Sequence, residues 1–200
     1  MKRKVKLNDL PAVKLPVGKG STLFLDGGLI SNGHFLISSD WFNSLEGNPK
    51  LAELFSAFRE SEIRDVTAKV TNEYFPQAPK PLATILSDVK LKFYKPVDLN
   101  KLEPVKGWNP PIFNPDGDDK RDWSVGIQAY SFEVKSSPIP IEISADYCGL
   151  LAVDPETKVL AKRYDKPIAI LKNGVAVAVI MPIRGLTAKQ YEEKLNAKSK

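Results

Sequence analysis

The sequence predicts an α+β fold of two halves, each mainly antiparallel β-sheet with one or two helices packed on one face. Three observations carry that expectation. The stretch Pro167 to Gly185 is the most apolar run in the chain, and Lys172, Asn173 and Gly174 divide it into two β-branched-rich arms. An Asn-Gly pair accepts positive φ at both central positions of a type I′ turn, so the run reads as a hairpin. Its second arm, Val175 to Met181, is apolar throughout rather than alternating, which predicts a central strand covered on both faces. The second observation is Asn48 and Pro49 followed by Leu51, Leu54, Phe55 and Phe58. That is an N-cap, a proline at the first helical position and an i, i+3, i+4, i+7 stripe, predicting a helix over 48–63 with one buried face. The third is another Asn-Gly turn, Asn32 and Gly33 within Gly28 to Ser38, which echoes the first and is what two copies of one small unit would leave.

In chain order, residues 1–20 hold Pro11, Pro16, Gly18 and Gly20 and read as an N-terminal arm with room for a short strand at Ala12 to Leu15. Residues 21–104 make the first half. It opens with strands at Thr22 to Leu25, Leu29 to Ile30 and His34 to Ser38 around glycine turns, then the helix 48–63. A half-buried strand over Asp65 to Asn72 and a proline-rich loop over Phe75 to Pro81 follow. Val89, Leu91 and Phe93 then alternate with Lys90, Lys92 and Tyr94, predicting a strand with an apolar inner face and a basic, aromatic-tipped outer face. Residues 105–122, with Pro110, Pro111 and Pro115, read as the connection. Residues 123–186 make the second half, with strands at Trp123 to Ile127, Ala129 to Val134 and Ile139 to Ile143. A short helix capped by Ser144 or Asp146 comes next and ends at Asp154 and Pro155. Val159 to Lys162 leads to the hairpin, which Pro182 ends because proline cannot donate to a ladder. Residues 187–200 open on a capping-box pattern, Thr187 to Gln190, and form a polar terminal helix that docks through Tyr191 and Leu195 or frays.

A chain of 200 residues with 42% hydrophobic composition can bury a real core. No apolar run approaches the roughly 18 residues of a membrane span, and Met1 to Lys4 leads into polar sequence rather than a signal-peptide core. A soluble, cytoplasmic protein with no membrane partner is expected. The net charge of +5 raises the question of nucleic acid. The excess concentrates only at the ends, in Lys2, Arg3, Lys4 and Lys6 and in Lys194, Lys198 and Lys200, which read either as solvated termini or as phosphate contacts.

Each candidate for chemistry has a plainer alternative. His34 is the only histidine, so any Ser-His or Cys-His mechanism would run through it, yet beside Phe35 it reads as a strand histidine satisfied locally. Cys148, the only cysteine, excludes an intramolecular disulfide and sits in an apolar stretch that predicts a buried, inert thiol. Val17 to Thr22 has the flavour of a phosphate loop, but Gly20 follows Lys19 and Val13 stands where the first glycine belongs. Asp116, Asp118 and Asp119 could wrap a hard cation, but no distal glutamate follows, and Lys120 and Arg121 compete for the carboxylates. No catalytic residue, metal or cofactor is therefore expected, and the chain reads as a non-enzyme. Basic and aromatic residues interleave in Lys90, Lys92, Phe93, Tyr94 and Lys95, a pattern that suits single-stranded nucleic acid and equally any half-buried sheet.

Pro140 to Leu151, then Pro167 to Ile170, then Val177 to Arg184 resemble the order of elements in the last domain of bacterial DNA polymerase sliding clamps and phage clamp-like proteins. Met181, Pro182, Ile183 and Arg184 are similar to the Met-Pro-Met-Arg on which that family's last strand ends. Leu25 to Asp40 looks similar to a strand, turn and strand of such domains. The resemblance implies two clamp-like halves and a non-enzymatic, DNA-associated scaffold, with homo-oligomer formation. It implies a partner-peptide site near Met181, Pro182, Ile183 and Arg184, and DNA contacts at Lys2, Arg3, Lys4 and Lys6, with Lys90 and Lys92 as further candidates. The chain departs from the family in having room for only two reduced domains, in continuing to Lys200, and in carrying Glu53, Glu60 and Glu62 on the helix 48–63. A protein of phage or mobile-element type that assembles with partners without binding DNA is the alternative expectation.

Overall fold

The computed structural model describes residues 5–15, 23–26, 28–60, 64–65, 91–106 and 127–183. Strands β1 (Phe24–Asp26), β2 (Leu29–Ser31) and β3 (Phe35–Ser38) run into α1 (Ser39–Ser44). A 3-10 turn, Pro49–Leu51, then leads to α2 (Ala52–Glu60), and β4 (Arg64–Asp65), β5 (Lys95–Pro96) and β6 (Glu103–Lys106) follow. The chain continues as β7 (Ile127–Phe132), β8 (Ile141–Ser144), α3 (Ala145–Cys148) with the 3-10 turn Gly149–Ala152, β9 (Lys158–Ala161), β10 (Ile168–Lys172) and β11 (Val175–Ile180). The fold is α+β. One sheet has the order β4-β1-β2-β3-β11-β10-β9-β5 and the other β6-β7-β8. Every pairing is antiparallel except that of β1 with β4.

The large sheet has the topology of a local two-fold between β3 and β11. The meander β1-β2-β3 lies on one side of that axis and β9-β10-β11 on the other. Its hairpins are the two Asn-Gly turns of the sequence, and they differ. Asn173 (φ 52°) and Gly174 (φ 80°) both take positive φ, as a two-residue type I′ turn requires. In the β2–β3 turn only Gly33 does, at φ 86°. Asn32 instead holds the turn through its side chain, with Oδ1 accepting from the His34 and Phe35 backbone N–H groups at 3.0 and 3.1 Å.

Both faces of the large sheet bury apolar side chains. On one face Ile30, Phe35, Ile37, Ile168, Ile170 and Ile180 join a core shared with Phe42 of α1, Leu54 of α2, Tyr147 of α3 and Ile141 and Ile143 of β8. On the other, Leu29, Leu36, Ala169, Leu171 and Val179 pack with Tyr94 and Leu91. Double coverage of β11 is thus real from Ala178 to Ile180. It fails at the hairpin tip, where Val175 is 65% exposed, because β3 pairs only with Ala178, Val179 and Ile180 and the tip overhangs it.

Asn48 caps its helix as expected, accepting from the Lys50 N–H at 3.0 Å, although the first turn is 3-10; α2 is described as far as Glu60, and residues 61–63 lie outside the described residues. Residues 7–15 are no loose lead-in, and Ala12 to Leu15 form no strand. Leu10, Val13 and Leu15 are buried, and the backbone is tied to both helical units. Val13 N donates to Lys50 O, Lys14 N to Asp146 O and Leu15 N to Glu53 Oε1, each at 2.8 Å. The Lys50 ammonium donates to the carbonyls of Asn8 and Leu10. Gly149 permits this approach, since a Cβ there would collide with the Pro11 carbonyl. The expected strand over Val89 to Tyr94 is overturned where it can be seen. Leu91–Phe93 is a 3-10 turn closed by Tyr94 N donating to Leu91 O at 2.9 Å, so Tyr94 turns inward and Phe93 outward. Regular structure also enters the proline-rich stretch, since β6 carries Pro104 on an edge strand, where a missing donor is tolerated. The remainder of the strand expected over 65–72, the loop 75–81, the strand expected from Trp123 and the helix expected after Thr187 lie outside the described residues.

Candidate nucleic-acid interface

Register builds the most distinctive surface. β5 pairs with β9 through Lys95 opposite Ala161 and Pro96 opposite Leu160, which brings the 91–93 turn against Lys162. Leu91 and Tyr94 anchor the turn in the second apolar cluster. Phe93, between them, is left 47% exposed, a large apolar side chain presented to solvent. The ammonium groups of Lys92 and Lys162 stand 4.9 and 4.8 Å from its ring centroid, within cation–π range. Burial pushes the Tyr94 phenol up from its ordinary value, with the Asp165 carboxylate adding to the effect.

Ser136 Oγ donates to the Lys162 carbonyl and joins this surface to an open cleft of about 780 Å³. Leu102, Phe132 and Val134 contribute buried side chains to its walls, and its charged lining is of mixed sign: Lys95, Asp98, Lys101, Glu103, Glu133 and Lys135. Asp98 is committed internally. It accepts from the Asn100 backbone at 3.2 Å and lies 3.5 Å from the Lys101 ammonium, and these contacts, the backbone bond foremost, hold its carboxyl below the usual range.

Of the residues singled out from sequence, Lys92 belongs to this surface. Lys6 is exposed on the arm, a different element, and Lys2, Arg3, Lys4, Lys90 and Arg184 lie outside the described residues. Met181 to Ile183 is a strap between the two sheets. Met181 N donates to His34 O at 2.7 Å, Ile183 N donates to Glu142 O at 2.8 Å, and Pro182 is buried. Lys162 and Lys135 were not picked out from the sequence, because nothing local marks which strand β5 will join.

The other candidate centres are structural. His34 is exposed and stacks on Tyr147 at 5.6 Å, while Asn32 donates to the Tyr147 hydroxyl at 3.3 Å. Cys148 is fully buried, and burial pushes its thiol up to about 12. Asp154, also buried, accepts from Trp41 Nε1 and the Lys172 ammonium at 2.9 Å each and from the Glu156 backbone at 3.0 Å. Among the described residues no group of three or more His, Cys, Asp or Glu could hold a metal ion, and no helix is long and apolar enough to cross a membrane. The acidic loop Asp116 to Asp122 lies outside the described residues. Comparison of the chain with protein-family models, curated proteins and solved structures finds no match.

Proposed function

We propose that this chain is a non-enzymatic, cytoplasmic, DNA-associated binding protein, a clamp-like scaffold that meets nucleic acid at the Lys92, Phe93 and Lys162 surface. The observation that carries the reading is Phe93, 47% exposed with two ammonium groups 4.9 and 4.8 Å from its ring centroid, Lys92 from its own turn and Lys162 from the residue after β9. An exposed ring beside lysines offers a stacking platform next to phosphate-binding charge. The two three-stranded meanders about β3 and β11 are compatible with clamp-like halves. Lys2, Arg3, Lys4 and Lys6 would add phosphate contacts from the arm. Fluorescence anisotropy with a labelled oligonucleotide tests the proposal. Binding near ~50 mM salt that weakens steeply as salt rises is expected, and no binding at that salt would overturn it.

A second reading, an assembly protein that pairs with copies or partners without DNA, rests on the β11 overhang. Val175, Ala176 and Val177 have no β3 neighbour, and an unpaired apolar edge is a template for strand addition. Light scattering and the oligonucleotide assay together separate the two, since an oligomer that binds no DNA favours the second reading and a clean monomer of 22.2 kDa argues against a closed clamp.

A further inference from the structure

We infer that the nucleic acid is a short single strand, laid from Phe93 along the near rim of the adjoining cleft; the inference rests on the DNA-associated reading above. The charges that are free to meet phosphate decide this. Among the described residues, Lys95 and Lys135 form no ion pair or side-chain hydrogen bond, and Lys92 and Lys162 touch only the Phe93 ring through their ammonium groups. These four lysines are neighbours by construction. Lys95 pairs with Ala161, Lys162 follows Ala161, Ser136 is bonded to the Lys162 carbonyl, and Lys135 precedes Ser136. Asp98 and Glu103 line the same cleft from the turn before β6 and from its first residue, and Lys101 is paired with Asp98, so the cleft itself is of mixed charge. Glu133 also lines it, next to β7, and limits how many phosphates can be neutralised.

The Phe93 ring requires a free base face. A duplex interior offers none, whereas an unpaired base can stack on the ring. A base that stacks must displace an ammonium from the ring, and the displaced lysine is then at hand for the flanking phosphate. Among the described residues four lysines frame this surface, so their share of the salt slope is bounded. At about −0.7 per neutralised phosphate, four contacts give a slope of log K against log salt near −2.8.

The test uses the whole chain with an eight-residue oligothymidine, a blunt-ended G·C-rich DNA duplex of eight base pairs, and an eight-residue polyglutamate competitor. Expected are oligothymidine binding that weakens as salt rises, with these four lysines carrying up to about −2.8 of the slope, and weaker binding of the duplex. Phe93→Ala should weaken oligothymidine about ten-fold or more at fixed salt with little change of slope. Lys162→Gln and Lys135→Gln should each make the slope shallower by about 0.7. All these side chains are at least partly exposed, so unchanged melting temperatures check that the variants fold. Equal binding of duplex and oligothymidine, or no effect of Phe93→Ala, overturns the single-strand inference while leaving DNA association standing. Displacement by polyglutamate at matched charge overturns it in favour of an acidic-peptide site. Failure of both DNA probes overturns the inference and the function beneath it together.

Discussion

Asp154 is the residue on which most local order converges, because its carboxylate joins α1, the turn before β9 and the end of β10. Trp41, Lys172 and the Glu156 backbone all donate to it. Burial pushes the carboxyl up, yet the bonds from Trp41, Lys172 and Glu156 together outweigh that and hold it below its ordinary range. Lys172 is raised, first by its bond to Asp154 and then by Glu156. The signs set a window. A depressed carboxylate contributes stability that is present above its unfolded value of about 3.9 and lost as pH falls through the folded one. A raised lysine contributes stability present below about 10.4 and lost as pH rises through its folded value. Melting temperature measured against pH should therefore hold a plateau across neutrality and fall at both ends. Asp154→Ala should lower stability by about 1–3 kcal/mol at pH 7 in denaturant titrations, since it strands a buried indole N–H and leaves Lys172 only its Glu156 pair, and should flatten the acid limb. Cys148, with its thiol raised to about 12, should resist thiol-reactive reagents in the native protein and label only on unfolding.

At the scale of elements, the arm is the least expected part. Val13 is fully buried and its N–H is bonded to the 3-10 turn before α2, so residues 10–15 sew the first helical unit to the second. Val13→Ala should cost about 1–3 kcal/mol by chemical denaturation, whereas a frayed arm would give a change within about ±0.5. What was legible in sequence and what was not divides along the range of the cause. Asn173 and Gly174 specify their turn locally, and Asn48 and Pro49 specify a helix start locally, so both were readable. α1 was missed because six residues are too few to display a period, although Trp41 and Phe42 bury one face. Phe93 was assigned to the wrong side because a two-residue alternation reads as a strand. Only the closure of Leu91 to Tyr94 and the pairing of β5 with β9, 65 residues or so away, decide which aromatic faces water.

For the whole molecule, the chain closes on itself across its middle. β3 from the first half and β11 from the second form the centre of one sheet, and the strap at Met181 to Ile183 ties that sheet to β8. The fold class was readable from the two hairpins and the capped helix. The site was readable only in its residue types, since Lys92 and Phe93 are consecutive while Lys162 and Lys135 come to them through the sheet. Photocrosslinking tests the central claim most directly, with a halogenated-uracil oligonucleotide irradiated on the intact protein and the attached peptides read by mass spectrometry. Crosslinks at the segments around 91–95, 134–136 and 158–163, lost in Phe93→Ala, are the expected result. Crosslinks that miss all three segments, or none under conditions where a known single-strand binder is labelled, would contradict nucleic-acid binding at this surface.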